Sequence, residues 1–351
     1  MASKTESTIK LVNKPIGPIG YGLMGLTWRD PAPSQEQALE AMKTALERGA
    51  NFWNGGELYG TPSRHSGHLL AEYFTKYPSD AERVVLSIKG GLEKGSMVVN
   101  GGEANVRRSV DDVLATLAGT TKTKIDVFEC ARVDHNVPIE ETLRVLNTLK
   151  NDEGKIGGIG LSEVSAATIE RAARVAHIDA VEVELSLWTT DILRNGVAAV
   201  CARLGIPIVA YSPLSRGALA GEATIRSSQD LPEGDMRRAY PRFQDEALAQ
   251  NSRLVDEVGK LAQRKGVTKA QVAIAWVRQL SGRVVPDGQG GSVHVGTIIP
   301  IPGATTRQRV LENTELVELT ADELLEIDEI LKRNPIKGDR YPAAVMVHSE
   351  W

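Results

Sequence analysis

Cysteine, histidine and aromatic residues are scarce in this chain. Its 351 residues include 2 cysteines, 6 histidines and only 5% Phe, Trp and Tyr. Cys130 and Cys201 stand far apart in separate apolar segments. That spacing argues against a disulfide scaffold and for free buried thiols in a reducing compartment, so the expected location is the cytoplasm. No apolar run reaches the roughly 20 residues that span a bilayer. The opening MASKTESTIK lacks the apolar core of a secretory leader. Neither sign of charge dominates: the net charge is −4, and no basic stripe points to nucleic acid. His65 and His68 have a suggestive spacing, but they precede a helix in a polar loop with no further ligands in reach, so no metal is expected.

What is present is an ordinary globular composition, 42% hydrophobic and 25% charged, in an alternating order of elements. Short apolar runs at 16–23, 51–54, 83–89, 125–131, 157–162, 180–186, 207–212 and 297–301 read as strands. Helical periodicity follows each of them, at 34–48, 63–77, 103–118, 138–150, 166–176, 193–204, 246–279 in two pieces, and 306–315. The strands are apolar on both faces, as parallel strands covered on both sides should be. The pattern predicts an α/β fold with one (β/α)₈ barrel domain over 1–351. It carries loop insertions at 217–245 and 281–296, an extra helix at 321–332 and a tail at 333–351. Gly20 to Gly25 matches the GxGxxG dinucleotide fingerprint, but Pro31 and Pro33 block the helix that motif requires. A glycine-rich loop at a barrel mouth is expected there, with Gly22 near the ligand.

Chemistry in such a barrel gathers at the C-terminal ends of the strands. The second strand runs into NFWNGGELYG, where Asn54-Gly55-Gly56 reads as a turn and Tyr59 stands just beyond it. The third closes on Lys89, a cation ending the apolar run VVLSI. If neighbouring strand ends share one mouth, Lys89 stabilises a Tyr59 phenolate and makes the phenol a better general acid. At the end of the chain, IPIPGATTRQRVLEN places Arg307 and Arg309 in the first turn of a helix. Basic residues oppose the dipole there, and they make sense if a phosphate docks.

Taken together, these motifs resemble the aldo-keto reductases nearly from end to end. NFWNGGELYG follows the family's tyrosine motif in register, and Asp126 to Asp134 is similar to its D-x-x-x-x-H-R-x-D. GLSE at 160–163, AYSPLSRG at 210–217 and the IPG…R…EN ending also correspond. The resemblance implies an NADPH-dependent reductase of a small-molecule carbonyl with Tyr59, Lys89 and Asn54 at its centre. It places Tyr211 against the nicotinamide and Ser162, Glu163 and Glu182 at its carboxamide. Ser212, Pro213, Leu214 and Arg216 would line the pyrophosphate. Gly303, Ala304, Thr305, Thr306 and Arg309 would surround the 2′-phosphate, with Glu312 and Asn313 at the adenine. Trp28, Trp53 and Trp188, with Ala131, are the expected substrate wall. The departures are Asn54 where the family has aspartate, Ala131 where it has histidine, and glutamates at 163 and 182 where it has amides. With the aspartate gone, the expectation is that no carboxylate shares the charge of Lys89. Asn54, Gly55-Gly56, Ala131 and the 281–296 insert resemble the pyridoxal reductase branch, which implies reduction of an aromatic aldehyde, pyridoxal, to pyridoxine. The alternative is an NADPH-binding regulatory subunit similar to the potassium-channel β subunits.

Overall fold

The computed structural model describes residues 9–221, 223–287, 290–346 and 349–350. Residues 1–8 of the N-terminal stretch read for a leader, residues 222 and 288–289 of the two insertions, and residues 347, 348 and 351 of the tail lie outside the described residues. Eight parallel strands form one sheet: β1 (Tyr21–Gly22), β2 (Phe52–Gly56), β3 (Val85–Gly90), β4 (Ile125–Cys130), β5 (Ile156–Ser162), β6 (Ala180–Glu184), β7 (Ile208–Tyr211) and β8 (Ile298–Pro300). Strand order follows chain order from β1 to β8. A parallel bridge between Gly22 and Gly303 joins the two edges, and Gly20 N donates to Pro300 O at 2.9 Å, so the sheet closes into a (β/α)₈ barrel.

Helices α1 (Gln35–Glu47), α2 (Ser66–Lys76), α3 (Glu103–Leu117), α4 (Ile139–Asn151), α5 (Ala166–Ala173) and α6 (Val197–Leu204) follow the first six strands. After β7 come α7 (Asp245–Lys265) and α8 (Lys269–Gln279), and after β8 come α9 (Arg307–Asn313) and α10 (Ala321–Arg333). Local chemistry sets several of their starts. Ser34, Ser165, Thr268 and Thr320 each accept from a backbone N–H in the first turn. His65 caps α2, with the His68 ring against it, and burial together with His68 holds the His65 imidazole down at about 4. The spacing of these two histidines is thus part of a helix cap. The main core lies between barrel and helices, with Trp53, Tyr73, Phe74 and Trp276 fully buried in it.

Several elements depart from the sequence reading. Strand β2 continues through Gly55 and Gly56 and does not turn there. The glycines serve close approach, since a Cβ on Gly56 would stand 3.0 Å from the Tyr59 ring. The first strand is shorter than read. It is preceded by a hairpin, Lys10–Leu11 with Lys14–Pro15, that leaves the bottom of the barrel covered by Leu11 and Ile16. The helix read at 193–204 breaks at Gly196, leaving a 3₁₀ turn Asp191–Leu193 before α6. A one-turn helix, Met24–Thr27, does open directly after Gly22, but it stops at Trp28. Part of the 281–296 insertion is a hairpin, Val284–Pro286 with Ser292–His294.

Candidate active site

Register places one row of side chains inside the barrel. Gly56 of β2 is level with Lys89 of β3, Lys89 with Glu129 of β4, and Glu129 with Gly160 of β5. Residues level across a sheet share a face, and residues two apart along a strand do so as well. Asn54, Lys89, Glu129 and Glu182 therefore meet in the barrel interior, each at most 4% exposed. The Asn54 amide donates to Glu182 Oε2 at 2.6 Å and to Glu129 Oε1 at 3.3 Å. The Lys89 ammonium pairs with Glu182 and lies 3.4 Å from Glu129 Oε1. Gly160 makes room for this group, since a Cβ there would stand 3.0 Å from the Glu129 Cβ.

The expectation that no carboxylate shares the charge of Lys89 is overturned. Two do, and both come from other strands than the one that lost its aspartate. Burial pulls the Lys89 ammonium toward its neutral form, but Glu129 and Glu182 outweigh it and hold its pKa well above the ordinary lysine value. Burial, joined by the neighbouring Glu182, pushes the Glu129 carboxyl well above the usual range. Glu182, expected at a carboxamide, has its carboxylate engaged by Lys89 and Asn54. Glu129 was not singled out from the sequence, although an acidic residue inside the apolar run IDVFEC is a signal in itself.

Tyr59 stands above this row on a firmly held loop. Its carbonyl accepts from Thr27 Oγ1 at 2.7 Å and from Ser66 N at 3.1 Å. Glu57, two residues earlier, pairs with Arg108 and accepts from Ser109. The Trp28 indole stacks on the phenol ring at 5.7 Å. Burial pushes the Tyr59 phenol up to about 12; Lys89 and Arg132 pull it down, while Glu182 and Glu129 push it up. Lys89 also sits 5.5 Å from the centre of the Tyr211 ring. Ala131, at the vacant imidazole position, is buried beside the end of β4, its N–H donating to Gly90 O at 2.9 Å.

The tail crosses this mouth. Arg340 is buried and donates to Glu163 Oε2 at 2.9 Å and to Glu184 Oε2 at 3.4 Å. Tyr341 hydrogen-bonds the Tyr211 hydroxyl at 2.9 Å. Arg216 pairs with Glu184 at 2.8 Å, and its guanidinium lies 4.3 Å and 4.8 Å from the ring centres of Tyr341 and Tyr240. Burial acts to raise the Glu184 carboxyl, but Arg216, Arg340 and Arg242 overcome it and hold the group below the ordinary carboxylate value. Glu163, Ser212, Ser215 and Arg216 all adopt left-handed backbone, so the described non-glycine residues in that region cluster at this mouth, apart from Val12 and Asn13 in the N-terminal hairpin.

The remaining expected residues divide in two. A groove of about 1640 Å³ runs from Ser34 and Gln37 past Lys269 to Thr305, Thr306, Arg309 and Glu312. Thr306 caps α9, and the Arg309 guanidinium is exposed. Ala304 and Asn313 are buried behind the groove, and Gly303 is at the barrel seam beside Gly22. Pro213 and Leu214 are buried and Ser212 half-buried at the end of β7. Trp53 and Trp188, expected at a substrate wall, are both buried. Trp53 is fully buried among Tyr21, Tyr73 and Phe74, on the helix side of the barrel, and Trp188 is buried against Phe243. Of the three tryptophans, Trp28 alone lies against Tyr59.

The aldo/keto reductase family model matches residues 18–332. A probable pyridoxal reductase of Schizosaccharomyces pombe is 40% identical over 93% of this chain and 95% of its own length. A putative pyridoxal reductase of Saccharomyces cerevisiae is 38% identical over 93% of this chain and 96% of its own. Among solved structures, a glycerol dehydrogenase from Gluconobacter oxydans superposes with a TM-score of 0.77 over 95% of this chain and 98% of its own, at 23% identity, a likeness that speaks to fold alone. The match over most of the chain and the closed barrel lead to one conclusion: this chain belongs to the aldo/keto reductase family and is an oxidoreductase acting on carbonyl compounds.

Proposed function

We propose that the chain reduces an aromatic aldehyde, with pyridoxal the first candidate, to the corresponding alcohol using NADPH, and that Tyr59 is the proton donor. Family membership supports a nicotinamide cofactor, and the site has features that fit one. The Ser162 and Ser215 hydroxyls are buried at the mouth without hydrogen-bond partners among the described residues, as groups awaiting a polar ligand would be. The groove beyond them has room for the adenosine end. Thr305, Thr306, Arg309 and Glu312 line that groove, and we assign the first three to the 2′-phosphate, Glu312 and Asn313 to the adenine, and Ser212, Pro213, Leu214 and Gly303 to the connecting stretch. When bound, the reduced nicotinamide supplies the hydride to the carbonyl carbon.

The chain's own part is to hold the aldehyde and move one proton. Trp28, stacked on the Tyr59 ring, offers an apolar surface for an aromatic substrate, and Ala131 is smaller than the imidazole the family carries at its position. Tyr59 gives its phenolic proton to the carbonyl oxygen, leaving a phenolate. Lys89 stabilises that phenolate by charge and is itself held by Glu129 and Glu182, which Asn54 bridges with its amide. The observation that carries the reading is this buried lysine, oriented by carboxylates beneath a phenol. The relatives' names support pyridoxal as substrate. The free thiols, Cys130 half-buried and Cys201 buried, fit a reducing compartment such as the cytoplasm.

The deciding experiment mixes protein, NADPH and a panel of aldehydes that includes pyridoxal, and follows the loss of NADPH absorbance. Turnover with aromatic aldehydes is expected. Tight NADPH binding with no turnover of any aldehyde would favour the regulatory-subunit reading instead.

A further inference from the structure

The barrel interior holds an unbalanced set of charges. Among the described residues, Lys89 is the cation in contact with two carboxyl groups, Glu129 and Glu182, and the fourth member, Asn54, is a neutral donor. All four are buried, Glu129 at 1% and Glu182 at 2% exposure. Two ionised carboxylates beside one ammonium would leave a net negative charge without solvent, a state that proteins avoid by taking up a proton. We propose that Glu129 is kept as the neutral carboxylic acid, donating to Glu182, and that in this form it is a positioning residue that sets how strongly Lys89 favours the Tyr59 phenolate.

The contacts divide in the way this requires. Glu129 Oε1 accepts from Asn54 Nδ2 at 3.3 Å and faces Lys89 at 3.4 Å, which leaves its second oxygen to carry the proton, and its side chain is within hydrogen-bond reach of Glu182. Glu182 takes the shorter bonds, from the Lys89 ammonium and at 2.6 Å from Asn54, as the ionised partner should. The groups facing Glu129 are Lys89 from β3, Glu182 from β6, Tyr59 from the loop after β2 and its neighbour Cys130; on β5 it meets Gly160, which carries no charge. While Glu129 holds its proton, the set is neutral and Lys89 favours the phenolate. When Glu129 loses the proton to solvent at higher pH, the added negative charge makes Tyr59 a weaker acid. The alkaline limb of the pH–rate profile then reports Glu129 before it reports Tyr59.

This inference rests on the proposed role of Tyr59, but its first test needs neither aldehyde nor nucleotide. Infrared spectra of the unliganded chain at neutral pH should contain a protonated-carboxyl band that is absent from Glu129→Gln, or from Glu129→Leu if the first variant does not fold. In the parent that band should fade as pH rises, and its midpoint should coincide with the alkaline limb of kcat. In Glu129→Gln the limb should move to higher pH by at least one unit, a tenfold change in proton concentration. A neutral-pH spectrum with no band lost in either variant overturns the neutral acid. A band without any displacement of the limb overturns the positioning role. If no aldehyde is reduced by the parent, the proposed function fails, while the band still decides the protonation of Glu129.

Discussion

Lys89 is one of the few buried cations of this molecule, and its surroundings decide what Tyr59 can do. Burial and the two glutamates push the phenol up to about 12 even with Lys89 and Arg132 pulling it down, so without the lysine it would be a weaker acid still. Replacing Tyr59 with Phe should lower kcat by about 10²–10⁴-fold, the usual worth of a positioned general acid, with NADPH affinity retained. Stopped-flow turnover alongside a fluorescence titration of NADPH would check both, and turnover at the parent rate would remove Tyr59 from the chemistry. Lys89→Met belongs at this scale too. It strands the buried Glu182 carboxylate without its counter-ion, so it should lose stability as well as activity, by about 3–5 kcal/mol in chemical denaturation. Tyr59 and Lys89 could be read from the sequence because each sits in a local motif next to glycine. Glu129 could not be placed, because its partners come from β2, β3 and β6 and only barrel closure brings them together.

The C-terminal segment after α10 is the element that sequence reading described least. It reads simply as a tail, yet Arg340 and Tyr341 are buried over the mouth. Glu350 accepts from Ser165 N at 2.7 Å and from Thr168 Oγ1 at 3.0 Å, at the start of α5. The segment is anchored by a buried guanidinium between two buried carboxylates, and such a pair is costly to break from one side. Arg340→Met should therefore destabilise the chain by about 3–5 kcal/mol, mostly through Glu163, since Arg216 still holds Glu184. Urea denaturation measures this, and a loss below about 1 kcal/mol would mean that the tail contributes no more than a surface pair. The helices themselves were legible through their caps and periodicity. The strand ends were less so: glycines at 55 and 56 carry a turn signal, and only the nearby Tyr59 ring and Ile88 show that they are there for close packing.

At the scale of the whole molecule, cofactor choice and pH response draw on distant parts of the chain. The Arg309 guanidinium is exposed at a groove shared by the segment after β1, the insertion after β7 and α9. Arg309→Ala should weaken NADPH binding far more than NADH binding, by roughly tenfold or more for a lost charge-assisted contact. Equal losses in calorimetry would remove the 2′-phosphate from that position. Stability should also respond to Glu129. Its folded pKa is raised above the unfolded value, so the folded state binds the extra proton between the two values. The contribution is fully present below the ordinary glutamate range and is lost as pH rises toward the raised value, at up to about 1.4 kcal/mol per pH unit. Denaturation curves across neutral pH should show this decline in the parent and a flatter profile in Glu129→Gln.

The sequence by itself determined the alternation of strand and helix, the barrel class and the family motifs, because each is written in short-range pattern: doubly apolar strands, helix caps, and a tyrosine and a lysine at strand ends. Tertiary structure alone decided which charges meet. The carboxyl groups that hold Lys89 lie forty residues and more along the chain from it, and the arginine that neutralises Glu163 lies near the C-terminus. No local pattern encodes contacts between strands that become neighbours only when the sheet closes, and a buried charge takes whatever partner that closure brings within reach.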